Sequence, residues 1–179
     1  MYNSLIKGEL IRSEFIVCCF KNPERKGDYN IMNAEQMWNE FVTGNQIKET
    51  EYQYQSWAFG VDADELADLV LRGIKTGTAS AYPLYEVENE ALPKAGDYSI
   101  ILDSKDEAVC IIKTTKVYIV PFREVREEHA GKEGEGDGSL EYWRKVHIEF
   151  FSQNMSEAGR LFDEDMPVVC EEFELVYRP

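Results

Sequence analysis

Gly73-Ile74-Lys75-Thr76-Gly77-Thr78-Ala79-Ser80 is the stretch on which the reading of this chain turns. It follows a well-marked helix: Asp62 is the N-cap, Glu65 stands three residues on, Leu66, Leu69 and Val70 form the apolar stripe, and Gly73 supplies the left-handed terminus. Just past that terminus a lysine and a threonine hydroxyl can turn toward the same space, with the Ser80 hydroxyl two residues beyond. A threonine alcohol is a poor nucleophile at neutral pH and needs an adjacent base, a role a lysine can fill when burial disfavours its charged form. On spacing alone, a solvated lysine and a turn-capping threonine account for the same residues more economically.

Outward from this stretch the chain carries further helix and strand signals. Upstream, Asn33 and Gln36 make an N-cap with its capping-box partner, Met37, Trp38, Phe41 and Val42 fall on one helical face, and Gly44 is the stop. Beyond Pro93, residues 98–102 and 109–120 are rich in β-branched side chains and joined through Asp103-Ser104-Lys105-Asp106, which predicts two strands, the second ended by Pro121. From Glu124 to Glu141, seven acidic residues, two basic ones and a Gly-rich run over 131–138 predict a loop and not a packed element. Ser139 then begins a helix with Leu140, Trp143, Val146 and Phe150 at helical spacing, and residues 168–177 read as a strand. With no internal repeat and no interdomain linker, the pattern predicts one α+β domain.

The 179 residues carry 19 basic and 34 acidic side chains, a net charge of -15. That balance argues against a protein whose affinity comes from neutralising many phosphates, and so against a long nucleic-acid duplex as partner. Cys18, Cys19, Cys110 and Cys170 form no CxxC pair and stand beside no histidine at ligand spacing, so neither a zinc site nor a disulfide scaffold is expected. The apolar runs at 15–20 and 117–120 are far too short to span a bilayer, and Lys7, Glu9, Arg12 and Glu14 interrupt the first twenty residues instead of giving a signal peptide. The expected address is the reducing cytoplasm, with no membrane partner.

Composition changes at Met32. Residues 1–31 hold five basic and four acidic side chains, +1 in all, leaving -16 for residues 32–179. Arg25-Lys26-Gly27-Asp28 can be encoded by a purine-rich ribosome-binding sequence, with Met32 following at a plausible spacing. The expectation is a dispensable N-terminal extension, an upstream reading of the gene, followed by a domain over 32–179.

His129 and His147 are the only histidines, little material for a histidine-based acid/base system, and each reads more readily as a surface or capping residue. Glu133, with Glu135 and Asp137 nearby, reads as a solvated charge run or a weak cation site.

Taken together, Trp57-Ala58-Phe59-Gly60, the stretch from Gly73 to Ser80, Leu92-Pro93-Lys94-Ala95-Gly96-Asp97, Pro121-Phe122-Arg123-Glu124-Val125 and Glu128-His129-Ala130-Gly131-Lys132-Glu133-Gly134-Glu135-Gly136-Asp137 resemble the ASCH domain family, in its larger bacterial branch. The resemblance runs from about Met32 to Val176. It implies a PUA-like fold, a small and mostly antiparallel β-barrel with helices packed at its ends and a cleft beside the lysine motif. Members of the superfamily are regarded as RNA-associated, and the small ASCH amidohydrolases remove the acetyl group from N4-acetylcytidine with a Lys, a Thr three residues later and a Glu in a His-Ala-x-x-Glu stretch. The corresponding residues are Lys75, Thr78 and Glu133, with His129 opening the stretch. Those enzymes carry an arginine two residues after the threonine, where this chain has Ser80.

The resemblance therefore implies hydrolysis of the amide of an N4-acylated cytidine-type nucleoside without metal or cofactor. Thr78 is the expected nucleophile, Lys75 its base, and Glu133 the group that orients the lysine or passes a proton. Trp57 or Phe59 would stack a base, with Ser80 and His129 as further substrate contacts. The competing expectation is a module that binds RNA or a modified nucleotide without chemistry, or a ribonuclease; either asks for an open basic groove at Lys75.

Overall fold

Val168, Val169 and Cys170, wholly buried in a run of small and β-branched side chains, sit on the strand around which the molecule is organised. The structure, a computed structural model, describes residues 32–45 and 53–179; the extension expected over residues 1–31, with Cys18 and Cys19, lies outside them. The described elements are α1 (Ala34–Gly44), β1 (Tyr54–Ala58), α2 (Ala63–Leu71), β2 (Gly77–Ala81), α3 (Tyr82–Glu88), β3 (Tyr98–Leu102), β4 (Ala108–Pro121), a 3₁₀ turn (Phe122–Glu124), α4 (Glu127–Glu133), α5 (Leu140–Glu157) and β5 (Pro167–Tyr177).

The five strands form one sheet in the order β1-β3-β4-β5-β2. Only β1 and β3 pair in parallel; the other three pairings are antiparallel. The α+β class and the mostly antiparallel sheet are as expected. The sheet curls without closing, since β1 and β2 are its two edges.

Ile100 and Ile101 are both fully buried although neighbouring side chains on a strand point to opposite faces. The sheet is therefore covered on both sides. Ile100 packs with Met37, Trp38 and Phe41 of α1, whereas Ile101 packs with Ala67 and Val70 of α2 and with Phe173. A third cluster joins Phe122, Trp143 and Phe151 to Val168 and Cys170. Burial pushes the Cys110 and Cys170 thiols up to about 12, which makes them inert packing residues.

The region read as a loop over 124–141 is corrected by α4, whose His129, Ala130 and Glu133 are buried. Seven carboxylates and four glycines hid a short helix. Glu127 and Glu128 fall in its first turn, where the helix dipole favours anions, and Gly134 ends it with a left-handed φ of 67°. His129 and His147, read as surface or capping residues, are likewise both buried. Among the described residues no helix is long and apolar enough to cross a membrane.

Candidate active site

Lys75 is delivered into the interior by the way α2 ends. Gly73 takes a φ of 69°, and the backbone N–H groups of Ile74 and Lys75 both donate to the Leu69 carbonyl at 2.9 and 3.1 Å. Thr76 then donates its N–H to the Lys132 carbonyl at 2.7 Å and accepts from the Phe173 N–H at 2.9 Å, which threads the chain between α4 and β5. A Cβ on Gly77 would lie 3.1 Å from the Glu171 carbonyl oxygen and 3.3 Å from Lys132 Cβ, so a side chain there would crowd the passage.

The Lys75 side chain is 1% exposed. Its Nζ donates to Glu133 Oε2 at 3.0 Å and to Glu135 Oε1 at 2.8 Å, and lies 5.1 Å from the centroid of the Phe59 ring. Glu133 Oε1 accepts from Trp143 Nε1 at 2.6 Å. His129 Nε2 is 3.2 Å from the same oxygen but off the hydrogen-bond direction, and its Nδ1 lies 3.0 Å from the Tyr118 hydroxyl. His147 stacks on Trp143 with ring centroids 4.1 Å apart. Its Nδ1 is 2.9 Å from the Trp143 carbonyl; a carbonyl only accepts, so Nδ1 carries a proton, and Nε2 lies 3.6 Å from Glu133 Oε1.

Burial acts to raise the Glu133 carboxyl, and the Lys75 ammonium overrides it, leaving the group well below the ordinary carboxylate range. Glu133 is thus a fixed anion. Burial also pulls His147 below its ordinary value, against the pull of the neighbouring carboxylates. Glu171 moves the other way: burial, opposed by a hydrogen bond from Thr114 and reinforced by the charge of Asp97, pushes its carboxyl up to about 7.

A cleft of about 830 Å³ opens beside this cluster. Trp57, Phe59, Thr78 and Ser80 line it, with Tyr85, Glu135, His147 and Glu171. Trp57 meets Phe59 edge-on at 4.9 Å, and the Ser80 hydroxyl is 2.8 Å from that of Tyr85. Lys75, Glu133 and His129 are not among its lining residues; Lys75 stands one contact behind the wall through Glu135 and Phe59, Glu133 through His147, and His129 lies farther back, against Glu133 and Tyr118. The structure thus joins Lys75 to Glu133 and puts Thr78 on the cleft side. Among the described residues no hydrogen bond connects Thr78 to Lys75. His129 faces a second hollow with Tyr118, Lys116 and Lys132.

Sequence reasoning did not single out Glu135, Trp143 or Glu171 for the site. Glu135 was submerged in the acidic run, and Trp143 read as one more member of an apolar stripe. Glu171 carried a visible signal, a charged pair with Glu172 inside the otherwise apolar run Val168-Val169-Cys170 to Phe173. No group of three His, Cys, Asp or Glu side chains among the described residues is arranged to hold a metal ion.

Residues 55–177 match the family model of the ASCH domain. An ASCH domain from Lactobacillus crispatus is 32% identical, with a TM-score of 0.76 over 80% of this chain and 94% of its own. A protein from Enterococcus faecalis V583 is 37% identical, with a TM-score of 0.73 over 80% of this chain and 88% of its own. No protein with a curated description matches the chain. With a family model spanning most of its length, a buried Lys75–Glu133 pair beside a cleft and solved structures of like sequence and fold, the chain belongs to the ASCH domain family.

Proposed function

We propose that the protein is a hydrolase that cleaves the amide of an N4-acylated cytidine-type nucleoside. The observation that carries this reading is the buried Lys75–Glu133 pair standing one contact behind a cleft lined by Thr78. A buried ammonium is costly, and a site that keeps one beside a cleft has a use for its proton. Thr78 Oγ attacks the acyl carbon and Lys75 takes the hydroxyl proton. For that step the lysine first gives a proton to Glu135, the carboxylate it shares with the cleft, while Glu133 stays anionic and holds Nζ in place.

The lining of the cleft supports a small uncharged substrate. Seven carboxylates line it, Asp62, Glu65, Glu88, Glu90, Asp97, Glu135 and Glu171, and among the described lining residues there is no lysine or arginine. A phosphate entering such a cleft meets repulsion with no cation to offset it, whereas a neutral nucleoside meets none. Trp57, partly exposed, offers flat apolar surface for a base, backed by the buried Phe59. The RNA-binding and ribonuclease readings need a basic groove, and this cleft does not supply one.

The test is to incubate the pure protein with a panel of N4-acylated cytidines and follow the loss of absorbance on deacylation. Lys75→Ala, Thr78→Ala and Glu133→Ala are each expected to lower turnover by at least about 10³-fold, with double variants scarcely worse than single ones, as for residues that act as a unit. A 5′-monophosphate on the substrate is expected to raise KM. Full turnover in Thr78→Ala would remove the nucleophile and the proposal with it.

A further inference from the structure

Thr78 and Glu171 are direct cross-strand partners in the antiparallel pairing of β2 with β5, and both line the cleft. Side chains in that relation stand on one face with Cβ atoms about 4.5–5.5 Å apart. We infer that Glu171 is the acid that delivers a proton to the leaving nitrogen of the amide, an assignment that rests on the hydrolase reading above. Glu133 is unsuited to that role, because its Oε2 is taken by Lys75 and its Oε1 by Trp143, which hold it as an anion. Glu135 holds the proton that Lys75 must take back at the end of the cycle, and its Oε1 is taken by Nζ.

Glu171 has no such commitment. Among the described residues one hydrogen bond reaches its carboxyl, from Thr114 Oγ1 to Oε2 at 3.3 Å, and no lysine or arginine forms an ion pair with it. The titratable groups that interact with it are Asp97 before β3 and Tyr85 on α3; Glu135 and His147 line the same cleft, and β2 and β4 present the hydroxyls of Thr78 and Thr114. Burial and the charge of Asp97 favour the protonated carboxyl, against the hydrogen bond from Thr114. A carboxyl poised near neutral pH can both give a proton and take it back.

The proton inventory closes. Thr78 Oγ bonds to the acyl carbon as its proton passes to Lys75; the carbon–nitrogen bond breaks and the nitrogen leaves as the amine with the Glu171 proton. Water then attacks the threonyl ester and gives a proton to the Glu171 carboxylate. Thr78 Oγ recovers its own proton from Lys75 as the carboxylic acid departs, and Glu135 returns its proton to the lysine, which restores the resting ion pair.

The test compares wild type, Glu171→Gln and Thr78→Ala on N4-acylated cytidines and on p-nitrophenyl acetate, whose phenolate departs without a proton. Glu171→Gln is expected to lower amide turnover by about 10²–10⁴-fold while keeping the first-turnover burst of p-nitrophenolate, which reads acylation alone, within about threefold of wild type; an intact burst also shows the variant folded. Thr78→Ala is expected to lose both. The fall in wild-type amide turnover above about pH 7 should vanish from the residual activity of Glu171→Gln. Equal losses of Glu171→Gln on both substrates, or wild-type amide turnover in that variant, overturn the acid role and leave the hydrolase reading standing. A wild-type protein that leaves every amide of the panel intact overturns the hydrolase reading, and the acid role falls with it.

Discussion

Lys75 and Glu133 are each nearly inaccessible to water, and the two partners are not equivalent. Removing the lysine leaves a buried anion with no cation beside it, whereas removing Glu133 leaves Lys75 paired with Glu135. Lys75→Met is therefore expected to cost about 3–5 kcal/mol and Glu133→Gln distinctly less, read from urea unfolding near neutral pH. Trp143→Phe deletes the indole N–H that satisfies Glu133 Oε1 while retaining part of the stack on His147 and Phe122. A loss of about 1–3 kcal/mol with an unchanged denaturant slope is expected. Function makes a different demand of the same residues. Thr78→Ser keeps a hydroxyl and should keep measurable turnover, whereas Lys75→Arg should lose it, because a guanidinium does not give up its proton. An active Lys75→Arg protein would take the base role away from the lysine.

α4 is the element that brings Glu133 to Lys75, and its C-terminal glycine is where it is most exposed to mutation. A Cβ on Gly134 would lie 2.7 Å from Ile74 Cγ2 and 2.8 Å from the Ile74 carbonyl oxygen, in a backbone conformation that already disfavours side chains. Gly138 has a similar φ of 73° and nothing within 4 Å. Gly138→Ala is thus expected to cost about 1–2 kcal/mol from conformation alone. Gly134→Ala should cost more and also depress turnover, since its clash pushes on the segment that carries Lys75; equal thermal shifts for the two variants would show that the contact with Ile74 is unimportant. The elements differed in how plainly they were written. Asn33 with Gln36, and Asp62 ahead of Glu65, announced α1 and α2 because a cap is local chemistry, and those hydrogen bonds are present. Gly77-Thr78-Ala79-Ser80-Ala81 did not read as a strand, because small side chains have little strand preference and β2 owes its form to β5. Glu133 lies 58 residues from Lys75, and no spacing rule relates positions so far apart. Their meeting was legible only through the family resemblance.

Across the whole molecule, the two perturbed carboxylates tilt the dependence of stability on pH in opposite directions. Glu133 titrates lower in the folded chain than its ordinary value of 4.5, so its contribution is present above that value and lost as pH falls toward the folded one. Glu171 titrates higher, so its contribution is full below about 4.5 and lost as pH rises through about 7. Replacing Glu171 with Gln removes only the second effect. The stability of Glu171→Gln relative to wild type should accordingly improve by at most about 3 kcal/mol between pH 4 and pH 8, then level off, as read from urea unfolding at several pH values. A difference that does not vary with pH would mean that Glu171 titrates normally. The strand order carries one more implication. β5 lies between β4 and β2, so the strand that bears Thr78 has no neighbour until the last of the five strands to be synthesised takes its place. During translation Thr78 is therefore made early and seated late: a nascent chain that has not yet released residues 167–177 from the ribosome has Thr78 and Lys75 but no floor under them, and the site comes into being only once β5 is free to pair.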